Sequence, residues 1–142
     1  MESTLQKTAL FTGFTTLKTK TVVYWTVTAL FCLQMSFTAY NELASSQVVR
    51  VFTRLGFPSH AFQVELSVAK VLGVLALLLP FVPARLKEWA YAGFAINLVS
   101  AVIAHLSIGD RPASLAPSTI TSVIWGLSYF FWRRLQATRG NA

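Results

Sequence analysis

Residues 60–109 decide the fold: they read HAFQVELSVAKVLGVLALLLP, then a short turn FVPARLKE, then WAYAGFAINLVSAVIAHLSIG. Each apolar run is about long enough to cross ~30 Å of hydrocarbon at ~1.5 Å per residue. Each also carries polar groups that lipid would penalise. These are Gln63, Glu65, Ser67 and Lys70 in the first run, and Asn97, Ser100 and His105 in the second. The stretch therefore predicts an antiparallel transmembrane hairpin with a polar inner face.

The composition of the whole chain favours the same class. It has 142 residues, 54% hydrophobic and 12% charged, whereas a soluble domain carries roughly 25% charged residues. The formal net charge is +7, but the basic residues lie between apolar runs, which indicates membrane topology and anionic lipid rather than nucleic-acid binding. The single cysteine, Cys32, excludes an intrachain disulfide or a CxxC pair, and its apolar surroundings predict a buried small side chain.

Two further apolar segments flank the hairpin, so we predict an all-α, four-helix transmembrane bundle over residues 21–133. The four spans are Thr21–Tyr40, His60–Pro80, Glu88–Ile108 and Ala116–Trp132. Residues 1–20 are expected to form either a short interfacial helix or a loose tail, and residues 134–142 a short polar tail. Gly109 is a predicted helix stop, with Pro112 and Pro117 as breakers before span four.

A short amphipathic helix is predicted between spans one and two. Its apolar residues lie at helical spacing and face away from two arginines. They are Val48, Val49, Phe52 and Leu55, opposite Arg50 and Arg54. We expect this helix to lie on the membrane surface, to end at Gly56 and Pro58, and to be followed by Ser59 as the N-cap of span two.

The basic residues are distributed unevenly between the two sides of the predicted bundle. Eight of the 12 lie on the side of the termini and three on the other side, with Lys70 inside the membrane. The eight are Lys7, Lys18, Lys20, Arg85, Lys87, Arg133, Arg134 and Arg139. This excess places both termini in the cytoplasm, and we expect a multi-pass protein of the inner (plasma) membrane.

The polar residues inside the spans predict a pocket. Gln63, Ser67 and Lys70 share one face of span two, and Asn97 reaches a depth similar to that of Lys70 across the hairpin. A mid-membrane lysine costs ~2.5–3.5 kcal/mol on insertion scales, so it needs a partner, water or neutralisation. The candidate ligand-binding residues are Lys70, Asn97, His105, Glu65, Gln34 and Ser67; the alternative is that they only fix helix register. His60 and His105 both lie near a predicted interface, so we expect no metal and no haem.

The run LKEWAYAGFAINLVSAVIAHLSIGD at residues 86–110, together with AKVLGVLALLLP and LGFP, resembles the DoxX-like family of small bacterial membrane proteins. The resemblance covers roughly Tyr24 to Trp132 and implies a four-helix transmembrane bundle. Lys70 matches the lysine of the family's AKxLG segment, and His105, Gly109 and Asp110 match the end of its third span. Asn97 stands where relatives often carry an aspartate, which weakens a charge-pair mechanism between spans two and three.

Two functions follow as hypotheses. The first is a non-catalytic subunit or scaffold of a redox-linked membrane complex, because no complete catalytic constellation is visible. The second is an outward-facing pocket for a lipophilic small molecule such as a quinone, with or without oxidoreductase or isomerase activity. The expected partners are the lipid bilayer, a protein of a membrane complex and a second copy of the chain; no resident cofactor is expected.

Overall fold

A computed structural model describes residues 1–57 and 60–140 as five helices. In chain order they are α1 (Glu2–Ala44), α2 (Ser46–Arg54), α3 (His60–Leu78), α4 (Ala84–Ser107) and α5 (Pro112–Gly140). These residues contain no strand, which confirms the all-α prediction. The predictions for Pro58 and Ser59 lie outside the described residues.

Three of the described helices, α1, α3 and α4, are long and apolar enough to cross a membrane. Large apolar side chains cover their outer faces, for example Leu33 at 70% and Ile96 at 69% exposure. Such a surface needs lipid or another protein to cover it. The chain is therefore a multi-pass membrane protein. The fourth crossing, assigned to α5, and the cytoplasmic location of the termini stay predictions.

The four long helices pack in a closed order, in which α1 and α4 each contact both α3 and α5. Large buried side chains cluster toward the α3–α4 turn, and we call the part of the molecule around Phe31, Leu77, Tyr91 and Phe94 the turn half. Phe31 and Leu77 are completely buried there, and the Phe31 ring meets the edge of the Phe94 ring at 5.0 Å. Phe94 also lies against Gly73, where a Cβ atom would come within 2.8 Å of its ring. Gly73 thus lets α3 and α4 approach closely.

Several buried polar groups in the turn half form hydrogen bonds. Ser128 lies 2.7 Å from both the Thr28 hydroxyl and the Tyr91 hydroxyl. Lys87 is buried and donates to the Leu77 carbonyl at 3.0 Å, which satisfies a free carbonyl at the end of α3. Cys32 is buried in the same core, as the sequence predicted.

Two helices are longer than predicted. α1 begins at Glu2 and continues through Lys20 without a break, so residues 2–20 extend span one as a helix rather than a loose tail. α5 begins at Pro112 and runs to Gly140. The prediction that Pro117 breaks this helix is wrong. Proline is well suited to the first turn of a helix, and at Pro117, just beyond that turn, only one backbone hydrogen bond is lost.

The short helix between spans one and two is confirmed as α2, and all four of the predicted apolar residues, Val48, Val49, Phe52 and Leu55, are half-buried. Gly56 follows it with φ +90°, and Gly109 follows α4 with φ +65°. Both values lie in the left-handed region that glycine adopts without steric cost. These glycines therefore end the helices as the sequence predicted.

Candidate functional site

A cavity of about 470 Å³ lies at the end of the molecule opposite the turn half, and we call this region the cavity half. All five helices contribute to its wall. The apolar part of the wall includes Phe52 of α2 and Leu55 directly after it, with Phe57, Phe62 and Ile96. The polar part consists of Gln34, Thr38, Glu42, Lys70, Asn97, Ser100, His105, Ser118 and Thr121.

The strongest polar feature of the cavity is an ion pair between Lys70 and Glu42. The Lys70 ammonium donates to Glu42 Oε1, and the side chains are only 7% and 8% exposed. Ser67 lies behind them, with its hydroxyl 3.1 Å from Glu42 Oε2 and 3.3 Å from the Ala39 carbonyl oxygen. The lysine predicted to need a partner inside the membrane has one, supplied by the last turn of α1.

Other polar groups line the cavity around this pair. The Gln34 amide donates to the Thr121 hydroxyl, which in turn donates to the Pro117 carbonyl at 2.7 Å. This contact joins α1 to α5. Asn97 shares the cavity wall with Lys70, and no side-chain hydrogen bond of Asn97 occurs within the described part of the chain. Its amide therefore has hydrogen-bonding groups that these residues leave available at the cavity wall.

A three-residue cluster closes the outer edge of the cavity. The Arg54 guanidinium of α2 donates to Asp110 Oδ1 at 2.6 Å, and His105 Nδ1 lies 2.7 Å from Asp110 Oδ2. A carboxylate can only accept, so Nδ1 carries the proton. The hydrogen bond from His105 and the nearby Arg54 charge hold the pKa of Asp110 below its usual value of 3.8. The cluster ties α2 to the end of α4.

The structure brings four of the six predicted site residues to one cavity: Gln34, Lys70, Asn97 and His105. Ser67 does not line the cavity but contacts Glu42 behind it. Glu65 is exposed on α3 and does not line the cavity. It lies about 140° around the helix from Lys70, which accounts for its position away from the cavity wall. The buried stripe of Gln63, Ser67, Lys70 and Val74 matches the predicted face.

Glu42 is the site residue that the sequence reasoning missed. Glu42 lies beyond the predicted end of span one at Tyr40, but α1 continues to Ala44. The signal was its spacing, since Gln34, Thr38 and Glu42 follow i, i+4, i+8 and share one helical face. A polar stripe on that face pointed to one more turn of helix.

No group of three or more histidine, cysteine, aspartate or glutamate side chains that could hold a metal ion occurs in residues 1–57 and 60–140. Cys32 lies in the turn half, away from the cavity wall. The chemistry that the cavity can offer is therefore hydrogen bonding and charge from Lys70, Glu42, Asn97 and His105, inside a largely apolar wall.

Residues 26–127 match the profile of a family described as DoxX-like. The matched range covers somewhat less than half of α1, all of α2, α3 and α4, and just over half of α5. None of the curated proteins and none of the solved structures matches the chain.

Proposed function

We propose that this chain, which belongs to the DoxX-like family, binds a lipophilic small molecule of the quinone class in the cavity beside Lys70. The observation that carries the proposal is the buried Lys70–Glu42 pair in the wall of a cavity of about 470 Å³. Binding sites for small molecules are mostly apolar clefts of ~300–1,000 Å³ with a few convergent polar groups. This cavity has that size and that distribution of groups.

Stability alone does not account for the ion pair. Removing two charges from water often costs more than their attraction returns, and well-packed apolar residues are commonly as stable or more so. The pair could have been replaced by the aromatic packing that fills the turn half. An ionisable residue within a membrane span is for this reason a functional candidate by default.

The chemistry of the wall indicates which ligand fits. The charges of Lys70 and Glu42 cancel, so the cavity favours a neutral head group. A lysine ammonium has three N–H donors, of which one goes to Glu42, and the Asn97 amide adds two more. These donors suit a ring that carries carbonyl oxygens, and the apolar residues of α2 and α3 suit its carbon face. Phe57 and Phe62 stack at 5.0 Å in that part of the wall.

Equilibrium binding of tritiated methyl-benzoquinone to proteoliposomes tests the proposal. We expect saturable binding to the wild type, and at least tenfold weaker binding to Lys70→Met. Lys87→Met is the matched control, because both lysines are 6% exposed and Lys87 lies in the turn half. Binding no greater than that of protein-free liposomes, or equal affinity in Lys70→Met, would contradict the proposal. The Lys70→Met/Glu42→Gln double variant removes both charges and serves if the single variant does not fold.

A subunit role in a membrane complex is a second proposal, favoured by the N-terminal part of α1. Residues 1–19 are exposed along their whole length, and Phe11 and Phe14 are 80% and 68% exposed. Such apolar side chains on a projecting helix suit a protein partner or the bilayer surface. Site-specific photocrosslinking from position 14 in cells distinguishes them. A discrete protein adduct supports the subunit role, and lipid adducts alone contradict it.

We further propose that both termini lie in the cytoplasm and that the protein resides in the inner membrane. The support is the eight-to-three distribution of basic residues between the two sides. Fusions of green fluorescent protein and alkaline phosphatase at the C-terminus test this orientation. Fluorescence without phosphatase activity is expected, and the reverse pattern would refute it.

A further inference from the structure

A second cavity lies next to the first and shares part of its wall, so its position bears on the shape of the ligand. It has a volume of about 360 Å³ and lies in the outer groove between α3 and α4. Leu66, Lys70 and Asn97 line both cavities. We name the second one the lateral groove; beyond the shared residues it is lined chiefly by Ala69, Gly73, Ala76, Trp89, Ala90 and Gly93.

The lateral groove opens toward lipid. Trp89 at its far end is 77% exposed, and Leu72 on its rim is 61% exposed. Gly93 is exposed as well, and a Cβ atom added there would meet no atom within 4 Å. Space in the groove is therefore free, unlike the space at Gly73, which the Phe94 ring occupies.

We infer that the lateral groove holds an alkyl or isoprenoid chain attached to the head group bound at Lys70, so that the ligand enters sideways from the bilayer. The inference rests on the proposed function. The groove is apolar along α3 and α4 and ends at the two residues, Lys70 and Asn97, that offer polar donors. A molecule with a polar ring and one long apolar chain matches both parts, which neither a free ring nor a plain lipid chain does.

The dimensions of the groove favour a chain over a second copy of the protein. From Asn97 to Trp89 the groove follows eight residues of α4, about 12 Å at ~1.5 Å per residue. A volume of about 360 Å³ spread over that length makes a groove narrower than a helix with its side chains, which is ~10–12 Å across. One hydrocarbon chain fits this width, whereas a helix could only lie across the opening and could not reach Lys70.

A photoaffinity probe tests the inference: a benzoquinone that bears a decyl chain with a terminal diazirine, applied to the full chain in proteoliposomes. We expect its adducts on Leu72, Ala76 or Trp89, and at least a tenfold loss of these adducts in Gly93→Leu, which fills the groove. Gly126→Leu is the control, because Gly126 is also helical with no atom within 4 Å of an added Cβ and lies on α5 outside both cavities.

The outcomes separate this inference from the proposed function. If methyl-benzoquinone binds and depends on Lys70, but decyl-probe adducts fall on α2 or α5 or persist in Gly93→Leu, only the lateral groove is refuted. If neither quinone binds, the proposed function fails and the inference fails with it. An interchain disulfide formed by Trp89→Cys in membranes would assign the groove to a second copy and would also overturn the inference.

Discussion

The turn half and the cavity half are built from the same four long helices but fill the space between them differently. In the turn half the space is occupied by Phe31, Leu77, Tyr91 and Phe94, each at most 3% exposed. In the cavity half the facing positions of the same helices are Gln34, Glu42, Lys70 and Asn97, around an open volume of about 470 Å³. Large side chains close one half, whereas charged and amide groups keep the other half open.

The turn half has the contacts that stabilise the fold, and the cavity half has the polar groups that a ligand could contact. A membrane helix gains little from hydrophobic burial, because lipid is as apolar as leucine, so association depends on close packing and hydrogen bonds. The turn half supplies both, through the Gly73–Phe94 contact and the Tyr91–Ser128–Thr28 hydrogen bonds. We therefore expect substitutions in the turn half to change stability without changing ligand binding, whereas substitutions of Lys70 or Glu42 in the cavity half should change binding as well as stability.

The largest expected effect is a loss of stability on Phe31→Ala. Phe31 is fully buried and contacts the Phe94 ring, and truncation of a buried phenylalanine costs ~3–5 kcal/mol through lost contacts and the cavity it leaves. Reversible unfolding in mixed micelles measures the change. Phe37→Ala is the control on the same helix, because Phe37 is 65% exposed. Equal unfolding free energies for the two variants would show that the turn half does not carry the stability.

Next in size is the effect of removing one partner of the ion pair. Glu42→Gln leaves the Lys70 charge buried without its counter-ion, a change that typically costs ~3–5 kcal/mol. We expect about 3 kcal/mol, the lower end of that range, because Lys70 borders an open cavity rather than packed protein on every side. The double variant Glu42→Gln/Lys70→Met should regain most of this loss in the same unfolding assay. A double variant less stable than Glu42→Gln would mean that the two charges do not stabilise each other.

Sequence patterns predicted the helices well because lipid imposes a strong constraint on composition. The runs around Leu77 and Leu98 had to be helical and long, and the stripe through Ser67 and Lys70 had to face inward. Helix ends were predicted less well. At Glu2 and Gly140 the helices continue into polar sequence, where hydropathy no longer marks a boundary.

The sequence predicted Lys70 of the candidate site but not its partner Glu42. Lys70 was identified from its cost in the membrane, which is a local property of one span. Its partner Glu42 depends on where α1 ends relative to α3, and that follows from packing between helices rather than from either sequence segment. The contact of Arg54 with Asp110, 56 residues apart, is of the same kind.

A smaller effect is expected for Tyr91→Phe in the turn half. The Tyr91 hydroxyl lies 2.7 Å from Ser128, and a buried hydrogen bond contributes ~0.5–1.5 kcal/mol. Since Ser128 keeps its contact with Thr28, we expect a loss of about 1 kcal/mol with unchanged binding of methyl-benzoquinone. Tyr40→Phe, at a residue 67% exposed, is the matched control. A change in quinone affinity on Tyr91→Phe would contradict the separation of the two halves.

The smallest effect on overall stability should come from Asp110, which holds α2 over the cavity. Its pKa lies below the usual 3.8, chiefly because His105 donates to it. A lowered carboxyl pKa means that the folded state prefers the charged form, so the contribution is present at neutral pH and is lost as the pH falls below about 4. Hydrogen exchange of the α2 amides should therefore be slow from neutral pH down to about pH 4 and should accelerate below it, relative to the intrinsic rates.

Asp110→Asn should reproduce the low-pH behaviour of α2 at neutral pH, because it removes the charge that Arg54 contacts. Exchange should rise in residues 46–54 but not around Phe31, since no side chain of the turn half contacts the cluster. Arg50→Gln is the control, because Arg50 is exposed on the same helix and outside the cluster. Equal protection of α2 in Asp110→Asn and wild type would show that packing of Phe52 and Leu55 alone holds the helix. If Asp110→Asn shows both faster exchange in α2 and faster release of the quinone, α2 is the wall of the cavity that moves. The turn half should stay fixed in that variant.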